Sequence, residues 1–416
     1  MNNISCLIVE KSLGNNRISL FAQDRLMECW IEDDNLPFKI TEIHLARVIQ
    51  VLKPLKRIFY ELFNGSHISA RFRDVPPKVG DIEIITIKAE KREHKPAHAQ
   101  RGFYLKSKFS IILNEENFLG ISKSIINESE RGRLKAISTK VGLENAGAII
   151  RTSAENISEE ELEKDFFEVL TLWKDLKKRI DFANCKKIFE GQSLQEQAVN
   201  IFPSIQVIRD NNSVQFKKRN GLEQLLESYN CIFKIKNGGT LYFEETKALT
   251  SIDIDSSSRD LSKGGLNKLT EDALNVCLNL IRLRNTSGLI TIDIPRLSKH
   301  EFNERFNQIS LWANTMSRNT KVLGGTRGGL FEIICDHDRT SLNDNENGIS
   351  KFVALEAIRE LSNIKNNNYK LYISSNLNDI INLNFNDKLK EIKEKNPLIQ
   401  IIIDKNLDND NFYLNK

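Results

Sequence analysis

The stretch Gly238–Ile294 decides how the rest of this 416-residue chain is read. It opens GGTLYFEETKALTSIDIDSSSRDLSKGG (238–265) and closes IRLRNTSGLITIDI (281–294). Two short strand-like runs deliver carboxylates: LTSIDID ends with Asp253 and Asp255, and LITIDI places Asp293 near its end. Between them, TEDALNVCLNLIRLR carries helix signals. Thr270 is the expected N-cap, Glu271 and Asp272 follow it, and Leu274, Cys277, Leu278 and Ile281 recur at helical spacing. Strand–helix–strand is a crossover unit, so the two strands are expected in one sheet with their carboxyl ends at the same edge. Ligands bind at that edge in such sheets.

Alternation tells which side chains travel together. Ser251, Asp253 and Asp255 share a face opposite Ile252 and Ile254, while Leu289, Thr291 and Asp293 oppose Ile290, Ile292 and Ile294. Carboxylates converging on one edge repel unless a cation holds them together. Oxygen-only ligation without nearby His or Cys suits a hard ion such as Mg²⁺, bound through one or two carboxylates, waters and a phosphate. An Asp ending a buried strand is more often a turn residue. Two such strands joined by one crossover, with Gly238 and Gly239 ahead, leave the turn and metal-site readings evenly balanced on the residues alone.

These residues resemble the catalytic region of the ribonuclease E/G family, whose members carry GGxxxxDxTEALTxIDxNS and, after a helix, QLRLRxxGGxIxIDF. The resemblance implies that Asp253 and Asp293 bind a catalytic Mg²⁺ and that Asp255 takes the place of a supporting Asn. Lys247 stands where the family usually has Glu, and the segment after Ser256 departs from the family's Arg-containing one.

Composition bounds the rest. At 40% apolar and 28% charged the chain is globular and long enough for several domains. A net charge of +4 leaves nucleic-acid affinity to local patches. Six scattered cysteines without a CxxC argue for reduced thiols in a cytoplasmic protein and against a structural zinc site. No signal sequence and no membrane span are expected from MNNISCLIVEK or any later run.

Working outward, IHLARVIQVL, RIFYELF, DIEIITIKAE and FSIILN are short strands broken by turn signals, the pattern of a small barrel. Lys88, Lys91, Arg92, Lys95, Arg101, Lys106 and Lys108 are interleaved there with Phe103, Tyr104 and Phe109. Basic groups track a phosphate backbone and rings stack on unpaired bases, although a solvated charged hairpin would look the same. The stretch resembles the family's OB-fold RNA-binding domain, which places RNA contacts on Phe59 and Lys95 and puts Ser69 where a second aromatic stands. Further on, Ser158 and Glu161 form a capping box ahead of a stripe of Leu162, Phe166, Val169, Leu170, Trp173 and Leu176, expected as core. IIRTSAE matches the family's IVRTA segment. By that resemblance Arg151 and Thr152 contact a 5′-monophosphate, with a backbone contact near Ile111, and the family's further sensor Arg falls on Asn319.

The resemblance therefore implies an α+β multidomain chain. Residues 1–38 with 185–230 would form a discontinuous ribonuclease-H-like subdomain, 39–112 the OB-fold barrel and 113–184 the 5′-sensor region. Residues 231–345 would form a DNase-I-like catalytic subdomain and 350–416 a small C-terminal α/β domain. The implied activity is Mg²⁺-dependent endonucleolytic cleavage of single-stranded RNA, leaving 5′-phosphate and 3′-hydroxyl ends, in rRNA or tRNA processing or mRNA decay. The alternative is a catalytically degenerate RNA-binding paralogue. Where the family carries a Cys-Pro-x-Cys zinc link this chain has NDNENGISKF, so any homodimer is expected to use other surfaces. No scaffold tail of the kind that assembles degradosomes is expected.

Overall fold

The computed structural model describes residues 4–12, 15–33, 36–73, 75–92, 95–113, 118–210, 213–236, 238–256, 263–295, 298–344, 348–364, 368–407 and 411–415. The chain forms two compact units, residues 35–205 and residues 1–34 with 206–416. The architecture is mixed α+β, built on several separate sheets.

In residues 35–205, five strands close into a barrel. Ile43–Leu52 pairs with Arg57–Glu61, then come His67–Arg71, His98–Arg101 and Ile82–Ala89, which returns to pair with Ile43–Leu52. Alternation within RIFYE sends Ile58 and Tyr60 inward and turns Arg57, Phe59 and Glu61 outward. Ala46, Val48, Ile68, Ala70, Ile85, Ile87 and Ala99 complete the filling, so the interior is an OB-like packed core. Lys186–Phe189 adds a strand against Ile43–Leu52. Leu105–Lys106 and Ser110–Ile112 lie outside the closed circuit, in a four-stranded sheet with Ala148–Ile150 and Leu119–Ile121.

The helix Glu159–Lys178 covers that sheet. Ser158 caps it by accepting the Glu161 N–H at 3.3 Å, and the stripe from Leu162 to Leu176 is buried. Asp165 is the polar member of this buried face. Its carboxylate accepts the Ser107 hydroxyl at 2.6 Å and the Lys108 and Phe109 N–H groups at 3.2 Å, which fastens the Ser107–Phe109 turn.

In the other unit, Cys6–Ser12, Asn15–Ala22 and Arg25–Asp33 form an antiparallel meander, and Gln206–Arg209 adds a parallel strand beside the first. A six-stranded sheet follows, in the order Ile232–Lys234, Thr240–Glu245, Thr250–Asp255, Gly288–Asp293, Phe331–Cys335, Thr320–Gly325. Only its central pair, Thr250–Asp255 with Gly288–Asp293, is parallel. The helix Lys263–Leu283 makes that crossover and, with Lys299–Ala313, buries one face through Leu274, Cys277, Ile281, Ile309 and Trp312. The expected N-cap at Thr270 is overturned. The helix begins about two turns earlier, and Thr270 is buried within it, its hydroxyl donating to the Leu266 carbonyl at 2.9 Å. A three-stranded sheet, Gln400–Ile403, Lys370–Ile373 and Phe412–Asn415, packs with the helices Gly348–Ser362, Ser375–Asn384 and Asn386–Lys395 around its own core.

Candidate active site

The six-stranded sheet has a covered face and an open one, and the carboxylates lie on the open one. Ile252, Ile254, Ile290 and Ile292 are buried beneath the helices, which by alternation turns Asp253, Asp255 and Asp293 to solvent. Asp253 and Asp293 are register partners on adjacent parallel strands. Their side chains therefore stand side by side at the carboxyl ends of those strands. Partial burial pushes Asp253 above its ordinary pKa, and the charges of Asp293 and Asp255 push it further.

Glycine sets this edge. Gly238 takes φ +99°, and a Cβ on Gly239 would lie 3.0 Å from the Asp255 carbonyl oxygen and 3.2 Å from Leu269 Cδ atoms. The turn can thus approach the carboxylate strand closely.

Two neighbours of the carboxylates went unnoticed in the sequence. Tyr242 is the register partner of Asp253, and Ile232 is the register partner of Tyr242. One row towards the edge, Lys234 Nζ donates to Thr240 Oγ1 at 3.0 Å, and Thr240 pairs with Asp255. Alternation would have placed Tyr242 on the open face, but its position beside Asp253 depends on hairpin register, which the sequence alone leaves free. Lys247 is exposed, in the turn Thr246–Leu249 at the opposite end of the same hairpin. The segment following Ser256 lies outside the described residues.

A second cluster lies on the outer wall of the barrel. Phe59 is half-buried and pairs with Ser69, which in turn pairs with His98 on the next strand. Ser69 is buried, and its N–H and hydroxyl both donate to the Ala97 carbonyl, at 3.0 and 3.2 Å. Lys95, exposed, sits two residues before Ala97 in a hairpin bridged to Arg92. Phe59 and the Lys95 hairpin are thereby tied together through Ser69. Burial lowers the His98 pKa, and the cations Arg71, Arg57 and Lys88 lower it further. An imidazole and a phenyl ring thus share one basic surface, and the sequence reading missed His98.

The third cluster surrounds Arg151. Its Nη1 donates to the carbonyls of Ser107, Lys108 and Asn200 at 2.5–2.7 Å, so part of the guanidinium is committed to holding backbone. Burial lowers its pKa below the ordinary arginine value. Thr152 is exposed, its Oγ1 2.8 Å from Ser122 Oγ, and Ile111 pairs with Ile149 on the adjoining strand. Asn319 lies in the other unit, where its amide donates to Asp336 at 2.9 Å; Arg318 is buried, donating to the carbonyls of Ile281 and Thr286.

The family model described as the ribonuclease E/G family matches residues 104–210 and 192–336, together more than half of the chain. The chain belongs to the ribonuclease E/G family. It is similar to ribonuclease G of Haemophilus influenzae, 26% identical over 399 residues, covering 81% of this chain and 80% of the relative. Ribonuclease G of Escherichia coli K12 is 25% identical over 397 residues with the same coverage. A putative ribonuclease E of Buchnera aphidicola is 27% identical over 292 residues, covering 60% of this chain and 70% of that one.

The family match takes in all three aspartates. Their donor set suits a hard cation: carboxylate oxygens of two adjacent strands, already repelling one another, with room on an open face for water and a phosphate. Among the described residues no group of three or more His, Cys, Asp or Glu side chains is gathered in a way that could hold a metal ion. No helix among the described residues is long and apolar enough to cross a membrane.

Proposed function

We propose that this protein is an Mg²⁺-dependent endoribonuclease that hydrolyses single-stranded RNA, giving 5′-phosphate and 3′-hydroxyl ends. The in-register Asp253–Asp293 pair on the open face carries this reading. Both carboxylates would hold Mg²⁺, which when bound polarises the scissile phosphate and makes a water a stronger nucleophile at neutral pH. Asp255, two residues along the same face, accepts a hydrogen bond from the attacking water and aims it. Phe59 stacks on an unpaired base while Lys95 neutralises a phosphate, which suits single-stranded over duplex substrate.

Arg151 and Thr152, with the backbone near Ile111, are assigned to a 5′-monophosphate. Arg151 Nη1 is already engaged by carbonyls, so the phosphate falls to the remaining edge of the guanidinium and to the Thr152 hydroxyl. In this reading residues 1–38 with 185–230 are the ribonuclease-H-like part, 39–112 the OB-fold module, 113–184 the 5′-sensor, 231–345 the DNase-I-like catalytic part and 350–416 the small C-terminal domain. The cellular role would be cytoplasmic rRNA or tRNA processing or mRNA decay. Any homodimer would form without a zinc link.

Incubating the full chain with one RNA bearing either a 5′-monophosphate or a 5′-hydroxyl, and mapping product ends, tests the proposal. Internal cuts with 5′-phosphate products, faster on the monophosphorylated RNA, are expected. Products with 2′,3′-cyclic phosphates would contradict the water-attack chemistry, and equal rates would remove the 5′-sensor assignment. Tight RNA binding with no cutting would establish the non-cleaving alternative.

A further inference from the structure

The hydrolysis reading uses only one end of a longer row. Ile232, Tyr242, Asp253 and Asp293 are successive register partners across four neighbouring strands. Leu241 and Phe243, on either side of Tyr242, enter the core, so Tyr242 must stand on the open face with the aspartates. Register partners on one face of a sheet have Cβ atoms roughly 5 Å apart. The phenol ring is therefore adjacent to the Asp253 carboxylate. Tyr242 is half-buried, and Ile232 beyond it is 55% exposed, an apolar floor continuing away from the carboxylates.

The chemistry of this row is that of a nucleotide laid across the strands. A phosphate at the Asp253–Asp293 end is joined to its base through a single sugar, which spans about the step from one strand to the next. A base placed there meets the Tyr242 ring, and stacking on an aromatic ring works for any base because each has a π-face. Lys234, one row away on the strand that carries Ile232, adds an ammonium on the same side. It has the charge to take the following phosphate.

We infer that Tyr242 forms a base-stacking subsite for the nucleotide adjoining the scissile phosphate of single-stranded RNA, with Ile232 extending the platform and Lys234 contacting the next phosphate. The inference rests on the reading of Asp253 and Asp293 as the hydrolytic centre. It makes Tyr242 a determinant of where the RNA is cut, separate from the barrel surface around Phe59.

The test uses the full chain and short single-stranded RNAs in which 2-aminopurine occupies each position in turn. Stacking is read from quenching of its fluorescence with Ca²⁺ in place of Mg²⁺, and cleavage is read in Mg²⁺. Tyr242→Ala is expected to raise KM about 5- to 150-fold, with a smaller change in kcat, and to abolish quenching at one position beside the cut. Tyr242→Phe should retain both, because the ring rather than the hydroxyl stacks; its thermal melt controls for folding. Cleavage by wild type with KM and quenching unchanged in Tyr242→Ala would overturn the subsite and leave the hydrolytic centre standing. Position-specific quenching lost in Tyr242→Ala, from a wild type that does not cut, would keep Tyr242 as a base-stacking site but remove the hydrolytic reading and with it the placement beside a scissile phosphate. Absence of both binding and cleavage in wild type would overturn both.

Discussion

Asp253 and Asp293 stand beside each other at a cost. Partial burial lifts Asp253 above its ordinary pKa, and the like charges of Asp293, its register partner, and Asp255 lift it further. A cation relieves the repulsion, and so does removal of one charge. Asp293→Asn should therefore lower cleavage at least about 100-fold, the scale of losing one electrostatic contact to a transition state. Without divalent ions it should leave the melting temperature unchanged or raise it. Calorimetry in EDTA checks this, and a fall in melting temperature would mean that Asp293 is held by structural contacts. The shared edge of the two carboxylates was readable from the sequence because period-two alternation and one crossover fix faces and strand direction. Tyr242 and His98 were not, because both owe their places to cross-strand register. Tyr242 meets Asp253 through a hairpin, and His98 meets Ser69 through a parallel pairing of strands 26 residues apart in the barrel.

At the scale of elements, the turn at Gly238–Gly239 and the crossover helix together fix the carboxylate edge. Gly239 is pressed between the Asp255 carbonyl and Leu269, and Leu269 belongs to the helix Lys263–Leu283. Gly239→Ala should cost about 1–3 kcal/mol by overpacking, and should weaken cleavage as well because the yielding group is the backbone of Asp255. Urea unfolding monitored by fluorescence measures the first effect. An unchanged midpoint would show that the turn relaxes freely. The helix itself was recognised by its apolar spacing, but its start was misplaced. Thr270 followed by Glu271 and Asp272 has the composition of a cap, yet a threonine hydroxyl can also satisfy itself against the carbonyl four residues back, and packing of the longer helix prevailed. Arg151 shows the same limit from the other side: its segment was identifiable, whereas the carbonyls its Nη1 holds come from the distant Ser107–Phe109 turn and from Asn200 near the end of the helix Leu194–Ile201.

At the scale of the molecule, buried charge joins the N-terminal sheet to the C-terminal part of the same unit. Arg17 is fully buried, bound to Glu10 through Nε and Nη2 at 2.6 and 2.8 Å, paired with Glu356 at 2.6 Å, and stacked 3.6 Å from the Phe216 ring centroid. Glu356 lies in the helix Gly348–Ser362, where Arg359 also reaches it at 3.3 Å. Arg17→Ala would strand the buried Glu10 carboxylate and leave Glu356 to Arg359 alone, and should destabilise this unit by about 3–5 kcal/mol. Lysine should not restore it, since one ammonium cannot reproduce the fork to Glu10 and the contact to Glu356. A melting-temperature change of less than a degree would contradict the network's importance. None of this was visible beforehand, because charged residues in a strand read as solvent-facing until their partners are known. Membership of the family was legible in the ID runs and the IIRTSAE segment, all of which lie within the residues that the family model matches.

The most direct measurement of the central claim is the Mg²⁺-dependent cleavage of a short, AU-rich, 5′-monophosphorylated RNA by wild type and by Asp253→Asn, side by side. Wild type should cut, EDTA should stop it, and the variant should bind the RNA while cutting at least about 100-fold more slowly. Equal cleavage by the variant would contradict the assignment of the carboxylate pair, and binding without cleavage by wild type would contradict the enzyme itself.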